Sequence, residues 1–232
     1  MDKQTDRPVW LITGAAGALG SELVRQLLDS GKDCIALDRN ARGLNQLHDR
    51  LVADGLSPPA LMPLDLTGAG PEEYAKLAET VDNEFGRLDV LLHAAAEFVA
   101  LRPLLHQPPE EWFKCIQTGL TGPFLLSVAL MPLLSQTDGG RVVFINDGHC
   151  LEKPANWAAY GVAQAGRRQM VRSLEQEAGR LGPRFMEVDP GPFFSPLRTA
   201  AWPSESPQDL PSPGSAAARV IDRVGDCPCS TR

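Results

Sequence analysis

Short apolar runs alternate along this chain with longer amphipathic stretches. The runs predict buried strands at residues 9–13, 33–38, 60–64, 88–93, 141–146 and 185–189, because parallel strands covered on both faces are apolar throughout. The stretches between them predict helices at about 19–30, 42–53, 71–86, 111–115, 119–134, 157–180 and 216–224, with loops at 97–109 and 147–156. Strands separated by helices form parallel βαβ units. We therefore expect a single α/β domain over residues 1–232, a doubly wound parallel sheet of six to seven strands with helices on both faces.

The first predicted strand runs into a glycine-rich turn. Gly14 follows the strand, Gly17 and Gly20 recur after it, and a helical pattern begins near Leu19. Glycine permits a tight turn and a close approach of the backbone to a ligand, and a helix N-terminus offers free N–H groups to a pyrophosphate. In this βαβ context the spacing predicts a Rossmann-type dinucleotide site, against the alternative of a turn that binds no ligand. The expected contacts in the turn are Gly14, Ala16, Gly17, Ala18, Leu19 and Gly20.

The end of the second predicted strand carries two side chains that favour different cofactors. Asp38 follows the glycine turn at about the distance where a carboxylate accepts hydrogen bonds from the ribose of NAD. Arg39 comes next and can pair with the 2′-phosphate of NADP. Because the charge of Asp38 repels a phosphate, NAD is favoured, and NADP stays open. Further cofactor contacts are expected where other strands end, at Asp65, Leu66, Ala94, Ala95, Pro190 and Gly191.

The composition of the chain argues against some classes of binding partner. The 232 residues carry a formal net charge of -7 with no dense block of Lys and Arg, so neither nucleic acid nor a membrane is expected as a partner. Residues 1–7 are polar, and no apolar run approaches the ~18 residues of a membrane helix, so a cytoplasmic protein is expected. The five cysteines are too scattered for a disulfide framework or a zinc site. Two reduced thiols are favoured for Cys227 and Cys229 over a metal-binding or oxidised pair, and no metal is expected.

Two segments near the C-terminus differ in composition from the rest. Residues 193–213 are rich in Pro and Ser, and we expect a mobile flap over the ligand-binding edge of the sheet. Phe193, Phe194 and Trp202 in this flap predict an apolar wall for a small-molecule substrate. Residues 225–232 are predicted to be a disordered tail.

These features together resemble the short-chain dehydrogenase/reductase family, classical type, from Val9 to about Gly191. The resemblance is carried by the glycine turn, Asp65-Leu66, residues 91–96, Tyr160 and Pro190-Gly191. Residues 155–160 and 195–207 resemble the YciK-like branch of this family. The resemblance implies a doubly wound sheet and an NAD(P)-dependent interconversion of an alcohol and a carbonyl, in which Tyr160 exchanges a proton with the substrate oxygen.

Around Tyr160 the chain departs from the family's pattern. Gln164 stands where the family has a lysine, Asp147 where it has a serine, and Gly119 where it has an asparagine; residues 93–96 and Ala18 also differ. A tyrosine has a pKa of about 10, which a nearby ammonium lowers and a nearby carboxylate raises. Gln164 in place of the lysine and the nearby Asp147 both raise the pKa of Tyr160, so less of it is ionised at neutral pH and it is expected to be a poor base. The expected catalytic residues are Tyr160, Asp147 and Gln164, and Tyr160 and Gln164 are also expected to contact the cofactor.

Three hypotheses about function follow from these departures. The first is an NAD(P)-dependent oxidoreductase of unknown substrate whose atypical catalytic residues give low activity. The second is a catalytically inactive pseudoenzyme that still binds the nucleotide, and the third is an interaction scaffold that has lost nucleotide binding. The apolar faces of the helices at 119–134 and 157–180 predict a homodimer, since family members pair through these helices.

Overall fold

Six parallel strands form the centre of the molecule. The structure, a computed structural model, describes residues 6–179 and 182–225. The strands are β1 (Val9–Thr13), β2 (Asp33–Asp38), β3 (Ala60–Pro63), β4 (Val90–His93), β5 (Arg141–Ile145) and β6 (Arg184–Val188). Their order is β3-β2-β1-β4-β5-β6. The expected doubly wound parallel sheet is confirmed, with six strands in the described residues. The order reverses between β1 and β4, and open sheets of this kind bind ligands beside the carboxyl ends of the strands at that point.

Helices cover both faces of the sheet. On one face lie α1 (Ala18–Asp29), α2 (Ala41–Ala53) and α9 (Pro213–Gly225), and on the other lie α3 (Pro71–Phe85), α5 (Gly122–Gln136) and α7 (Ala158–Ala178). Successive residues of β1 pack on opposite faces, with Trp10 and Ile12 in the first core and Val9 and Leu11 in the second. Because both faces of the central strands are buried, β1 and β4 are buried along their whole length, whereas β6 contains the partly buried Arg184 and Glu187.

The helices predicted at 111–115 and 119–134 belong to one longer helical segment. α4 (Pro109–Ile116) passes through a π-helical turn at Gln117–Thr121 directly into α5. Pro123, at the start of α5, has no N–H for the carbonyl of Gly119 four residues earlier, and that carbonyl accepts Arg167 Nε instead. By length and composition alone, the segment Pro109–Gln136 is apolar enough to cross a membrane; half of its apolar window is buried inside the fold, and one such helix is weak evidence for a membrane span.

Two predicted irregular segments contain helices. The predicted loop at 147–156 includes α6 (Gly148–Glu152), which begins because Asp147 Oδ1 accepts the N–H groups of His149 and Cys150 at 3.0 and 3.3 Å. The predicted flap at 193–213 includes α8 (Pro196–Ala201), which Ser195 caps through the Arg198 N–H at 3.1 Å. Of the predicted tail at 225–232, Gly225 ends α9, and residues 226–232 lie outside the described residues.

Candidate active site

A cleft of about 740 Å³ opens at the carboxyl ends of the strands, at the point where the strand order reverses. All the side chains and turns that the sequence marked as cofactor contacts or catalytic residues line this one cleft. They are Gly14, Ala16, Gly17, Ala18, Leu19, Gly20, Asp38, Arg39, Asp65, Leu66, Ala94, Ala95, Asp147, Tyr160, Gln164, Pro190 and Gly191.

The glycine turn brings bare backbone to the floor of the cleft. Gly14 has a φ of +71°, and a Cβ there would lie 2.9 Å from the backbone of Ala95. A Cβ on Gly20 would lie 2.1 Å from the carbonyl oxygen of Gly14, so both positions exclude a side chain. α1 begins directly after Gly17, and no side chain caps that terminus. Its first N–H groups and the positive end of the helix dipole are therefore available to a pyrophosphate, and the residues present fit a dinucleotide.

Asp38 and Arg39, at the end of β2, have different partners. The two carboxylate oxygens of Asp38 accept the N–H groups of Ala16 and Asn40, at 3.0 and 2.9 Å. Arg39 Nη1 lies 2.8 Å from Glu97 Oε2, a contact that joins the end of β2 to the segment after β4. All three charged side chains line the cleft. Sequence reasoning did not single out Glu97.

The other strand ends are held by hydrogen bonds to their own turns. Asp65 Oδ1 accepts the hydroxyl and N–H groups of Thr67 at 2.5 and 3.0 Å, and the hydroxyl contact is the largest factor that lowers the pKa of Asp65. Arg219 on α9 donates to the carbonyl oxygen of Pro190 through Nε and Nη2 at 3.0 and 2.7 Å. Gly191 donates its N–H to Asp189 at 2.7 Å. These contacts fix the rim of the cleft.

Tyr160, near the start of α7, lies beside Asp147. The phenol donates to Asp147 Oδ2 at 3.4 Å, and the residue is 7% exposed. Burial raises the pKa of Tyr160 well above its usual value, and the negative charge of Asp147 raises it further. Gln164 is one turn further along α7, and its Oε1 accepts the N–H of Asp147 at 3.2 Å. Its carbonyl therefore positions the Asp147 backbone.

Arg167 is a site residue that sequence reasoning missed. It is 1% exposed and lines the cleft. Its guanidinium donates to three carbonyl oxygens, those of Gly119, Ile145 (at 2.9 Å) and Ala95 (at 2.8 Å). The signal was present in the sequence, because Tyr160, Gln164 and Arg167 follow the i, i+4, i+7 spacing of one helix face.

Aromatic rings form the wall of the cleft beyond Tyr160. Trp202 packs edge-on against His149 with ring centroids 5.0 Å apart, and Trp157 lies between Trp202 and Tyr160 at 5.3 and 5.5 Å. Arg198 stacks on Trp202 at 3.7 Å. Of the predicted apolar wall, Phe193 and Trp202 line the cleft, whereas Phe194 is exposed and lies outside it.

Three buried polar atoms of residues that line the cleft, Glu97 Oε2, Thr118 Oγ1 and Asn146 Oδ1, have no hydrogen-bond partner among the described residues, and of these only Glu97 Oε2 has an ion-pair contact, with Arg39. Buried polar groups without protein partners are the groups that a polar ligand can satisfy. No cluster of metal-binding side chains occurs in residues 6–179 or 182–225. The polar atoms, the glycine turn and Tyr160 together describe a site for a long ligand with phosphate groups and a reacting end.

Residues 8–206 match the family model described as short chain dehydrogenase. The chain belongs to this family. A relative, the uncharacterized oxidoreductase YciK of Escherichia coli strain K12, is 30% identical over 97% of this chain and 88% of its own length. The resemblance to the YciK-like branch is thereby confirmed.

Solved structures of similar proteins include two with a cofactor. A short-chain dehydrogenase from Shigella flexneri 2a, complexed with NADP, is 30% identical with a TM-score of 0.83, over 92% of this chain and 88% of that one. Another from Escherichia coli CFT073, complexed with NADPH, is 29% identical with a TM-score of 0.88, over 97% and 93%. This short-chain dehydrogenase is thus similar to proteins that hold a nicotinamide cofactor, and those two give no support to the NAD preference expected from Asp38.

Proposed function

We propose that this short-chain dehydrogenase binds a nicotinamide dinucleotide and reduces a carbonyl compound, with Tyr160 as the proton donor. The observation that carries this proposal is Tyr160, which lines the same cleft as the glycine turn. Burial and the charge of Asp147 raise the pKa of Tyr160, so the phenol is neutral. A neutral phenol donates a proton but does not accept one, which favours reduction over alcohol oxidation. Low activity, expected from Gln164 and Asp147, belongs to this proposal.

Different residues of the cleft would have different roles in such a reaction. The glycine turn and the N-terminus of α1 would hold the pyrophosphate, Asp65 and Leu66 the adenine, and Pro190 and Gly191 the nicotinamide end. When bound in its reduced form, the nicotinamide supplies a hydride to the carbonyl carbon. Tyr160 gives its proton to the carbonyl oxygen: the phenolic O–H bond breaks, its electron pair stays on the phenolic oxygen, and the substrate leaves as an alcohol.

NADP(H) is the form of cofactor that we propose. Both carboxylate oxygens of Asp38 already accept backbone N–H groups, which partly compensates their charge. Arg39 lines the same part of the cleft, and a guanidinium binds phosphate oxygens well. Two similar proteins hold NADP or NADPH. These points outweigh the repulsion between Asp38 and a 2′-phosphate.

A small apolar or aromatic carbonyl compound is the substrate class that the lining supports. The rings of Trp202 and His149 and the side chain of Leu197 line the cleft near Tyr160. The one arginine on this wall, Arg198, stacks on Trp202 and donates to Glu205 at 2.6 Å, so its charge is already paired. An anionic substrate group would compete with that carboxylate.

A nucleotide-binding pseudoenzyme is the second candidate, and one observation favours it. The family's lysine is replaced by Gln164, whose carbonyl accepts the N–H of Asp147, and the Tyr160 phenol donates to Asp147. A site in which these polar groups satisfy one another can bind a nucleotide without turnover. The scaffold hypothesis, without any nucleotide, has no comparable support.

A homodimer and a cytoplasmic location complete the proposal. Phe113 on α4, Phe124 and Val128 on α5 and Val162 on α7 are exposed apolar residues on neighbouring helices. Large exposed apolar faces mark surfaces that another protein covers, and a second copy of this chain presents the same face to its partner. The location is a prediction that rests on composition.

Two experiments test the function. The first is calorimetric titration with NADPH and with NADH, and the second is turnover of a panel of carbonyl compounds, monitored through NADPH absorbance. We expect saturable binding, tighter for NADPH, and slow turnover of some aromatic carbonyls. Tyr160→Phe should bind NADPH as the wild type does and lose turnover, because only the proton donor is removed. Binding without turnover over the whole panel would favour the pseudoenzyme, and absence of binding would overturn both nucleotide-dependent readings.

A further inference from the structure

Arg167 is a buried cation without an anionic partner. Its side chain is 1% exposed, and no carboxylate in residues 6–179 or 182–225 forms an ion pair with it. Burying an unpaired charge is unfavourable, and here only carbonyl dipoles compensate it. Burial lowers the pKa of Arg167, yet an arginine side chain in a protein stays protonated. The site therefore contains a permanent positive charge held by three neutral acceptors.

The guanidinium lies on the Tyr160 side of the cleft. Arg167 is two turns after Tyr160, about 10 Å along the axis of α7, and helical side chains lean towards the N-terminus. Its acceptors are Ala95, just after β4, Ile145, at the end of β5, and Gly119 in the π-helical turn. The charge acts on Tyr160 in the direction that lowers its pKa, against burial and Asp147.

The space around the guanidinium fits this arginine and excludes the family's asparagine. A Cβ on Gly119 would lie 2.9 Å from the Cβ of Ala163 and 3.9 Å from Arg167 Nη2. Any side chain at position 119 would therefore collide with α7 beside the arginine. Gln164 is engaged with the N–H of Asp147 and carries no charge. Arg167 is thus the residue on this face of α7 that supplies a cation.

We propose that Arg167 is a positioning residue that supplies, from two turns along α7, the buried positive charge that the lysine supplies in the family's pattern. It stabilises the negative charge that forms on the Tyr160 oxygen when the phenol gives its proton to a substrate. This role rests on the proposed function, because it matters only if Tyr160 transfers a proton. The electrostatic coupling itself exists in the free protein and can be measured without cofactor or substrate.

The chain offers a direct probe, because it contains only two tyrosines, Tyr74 and Tyr160. Biosynthetic replacement by difluorotyrosine makes both phenols more acidic, so they ionise at a lower pH than the phenols of tyrosine do. Fluorine NMR then follows two resonances against pH, and Tyr160→Phe assigns them. Besides Arg167, the titratable groups that act on Tyr160 are Asp147 and Cys150. Tyr74 serves as an internal reference; its own pKa is raised by burial to about 12 in the unsubstituted protein.

Arg167→Gln and Arg167→Lys form the informative pair, since both shorten the side chain and lose contacts to the carbonyls but only the first loses the charge. We expect Arg167→Gln to raise the ionisation midpoint of Tyr160 by about one pH unit, and Arg167→Lys to leave it close to the wild-type value. Arg168→Gln is the matched control, because the neighbouring Arg168 pairs with Glu187 at 3.0 Å, and it should change nothing.

Equal midpoints in the wild type and a folded Arg167→Gln variant would overturn the proposal and leave Arg167 a purely structural cap of three carbonyls. If Arg167→Gln does not fold, Arg167→Met takes its place, because it also removes the charge. A midpoint raised relative to Arg167→Lys supports the proposal, and equal midpoints in Arg167→Met and Arg167→Lys overturn it. Failure of the proposed function is a separate result, seen in the cofactor titrations.

Discussion

Replacing Glu97 with glutamine is expected to raise the affinity for NADPH relative to NADH. Arg39 must leave Glu97, 2.8 Å away, before it can pair with a 2′-phosphate, and NADH makes no such demand. The Arg39 side chain is 52% exposed and that of Glu97 is 18% exposed, so solvent screens the pair. Partly exposed ion pairs contribute about 0.2–1 kcal/mol, which corresponds to a change of about 1.5- to 5-fold in the ratio of the two affinities.

Calorimetric titrations of the wild type and Glu97→Gln with both nucleotides measure this ratio. Glu111→Gln is the control, since it breaks a similar pair with Arg102 (3.2 Å) away from the cleft and should leave the ratio unchanged. In an Arg39→Met background, Glu97→Gln should no longer favour NADPH through release of the arginine. A ratio that stays constant or falls in Glu97→Gln would refute competition between Glu97 and the phosphate for Arg39.

Two further predictions concern stability and assembly. Burial lowers the pKa of His93 well below its usual value, so the folded protein keeps this ring neutral while the unfolded chain binds a proton below about pH 6.5. Stability should therefore be lost as the pH falls through about 6.5, by up to about 1.4 kcal/mol per pH unit, and His93→Asn should flatten this part of the dependence in urea unfolding; equal slopes would contradict it. For the homodimer, light scattering after size exclusion should give twice the chain mass for the wild type and for Val52→Asp, an exposed apolar position on α2, but the monomer mass for Phe124→Asp. A monomeric or tetrameric wild type would count against the proposed pairing.

The sheet could be predicted from the sequence because its strands are buried on both faces. In β1, Val9 and Leu11 face one set of helices and Trp10 and Ile12 the other, so the run is apolar without interruption. The short helix α6 was not predicted, because no hydrophobic pattern marks it. It depends on the Asp147 side chain, which accepts two N–H groups of the following turn, and a helix of this length leaves no apolar periodicity.

The residues predicted for the candidate site all line one cleft, but Glu97 and Arg167 and the contacts within the cleft were not predicted. Parallel strands place their carboxyl ends together, so Gly14, Asp38 and Pro190 could be assigned to one edge from topology alone. The distances between Arg39 and Glu97 or between Tyr160 and Asp147 depend on how separate segments pack, which no local pattern contains. Arg167 was predictable only in part. Its helical spacing from Tyr160 indicates that both residues lie on one face of α7, but its carbonyl partners lie in three other segments.

The departures from the family's pattern form one arrangement whose members depend on each other. Gly119 has no side chain because Ala163 and Arg167 occupy the adjacent space, and Arg167 in turn donates to the Gly119 carbonyl. Gln164 holds the Asp147 backbone, and Asp147 accepts the phenol of Tyr160. A site that had only lost its lysine would place Tyr160 beside the Asp147 carboxylate with no positive charge nearby. Here the buried cation of Arg167 opposes the effect of that carboxylate on Tyr160, which favours our proposal of proton transfer over the pseudoenzyme alternative.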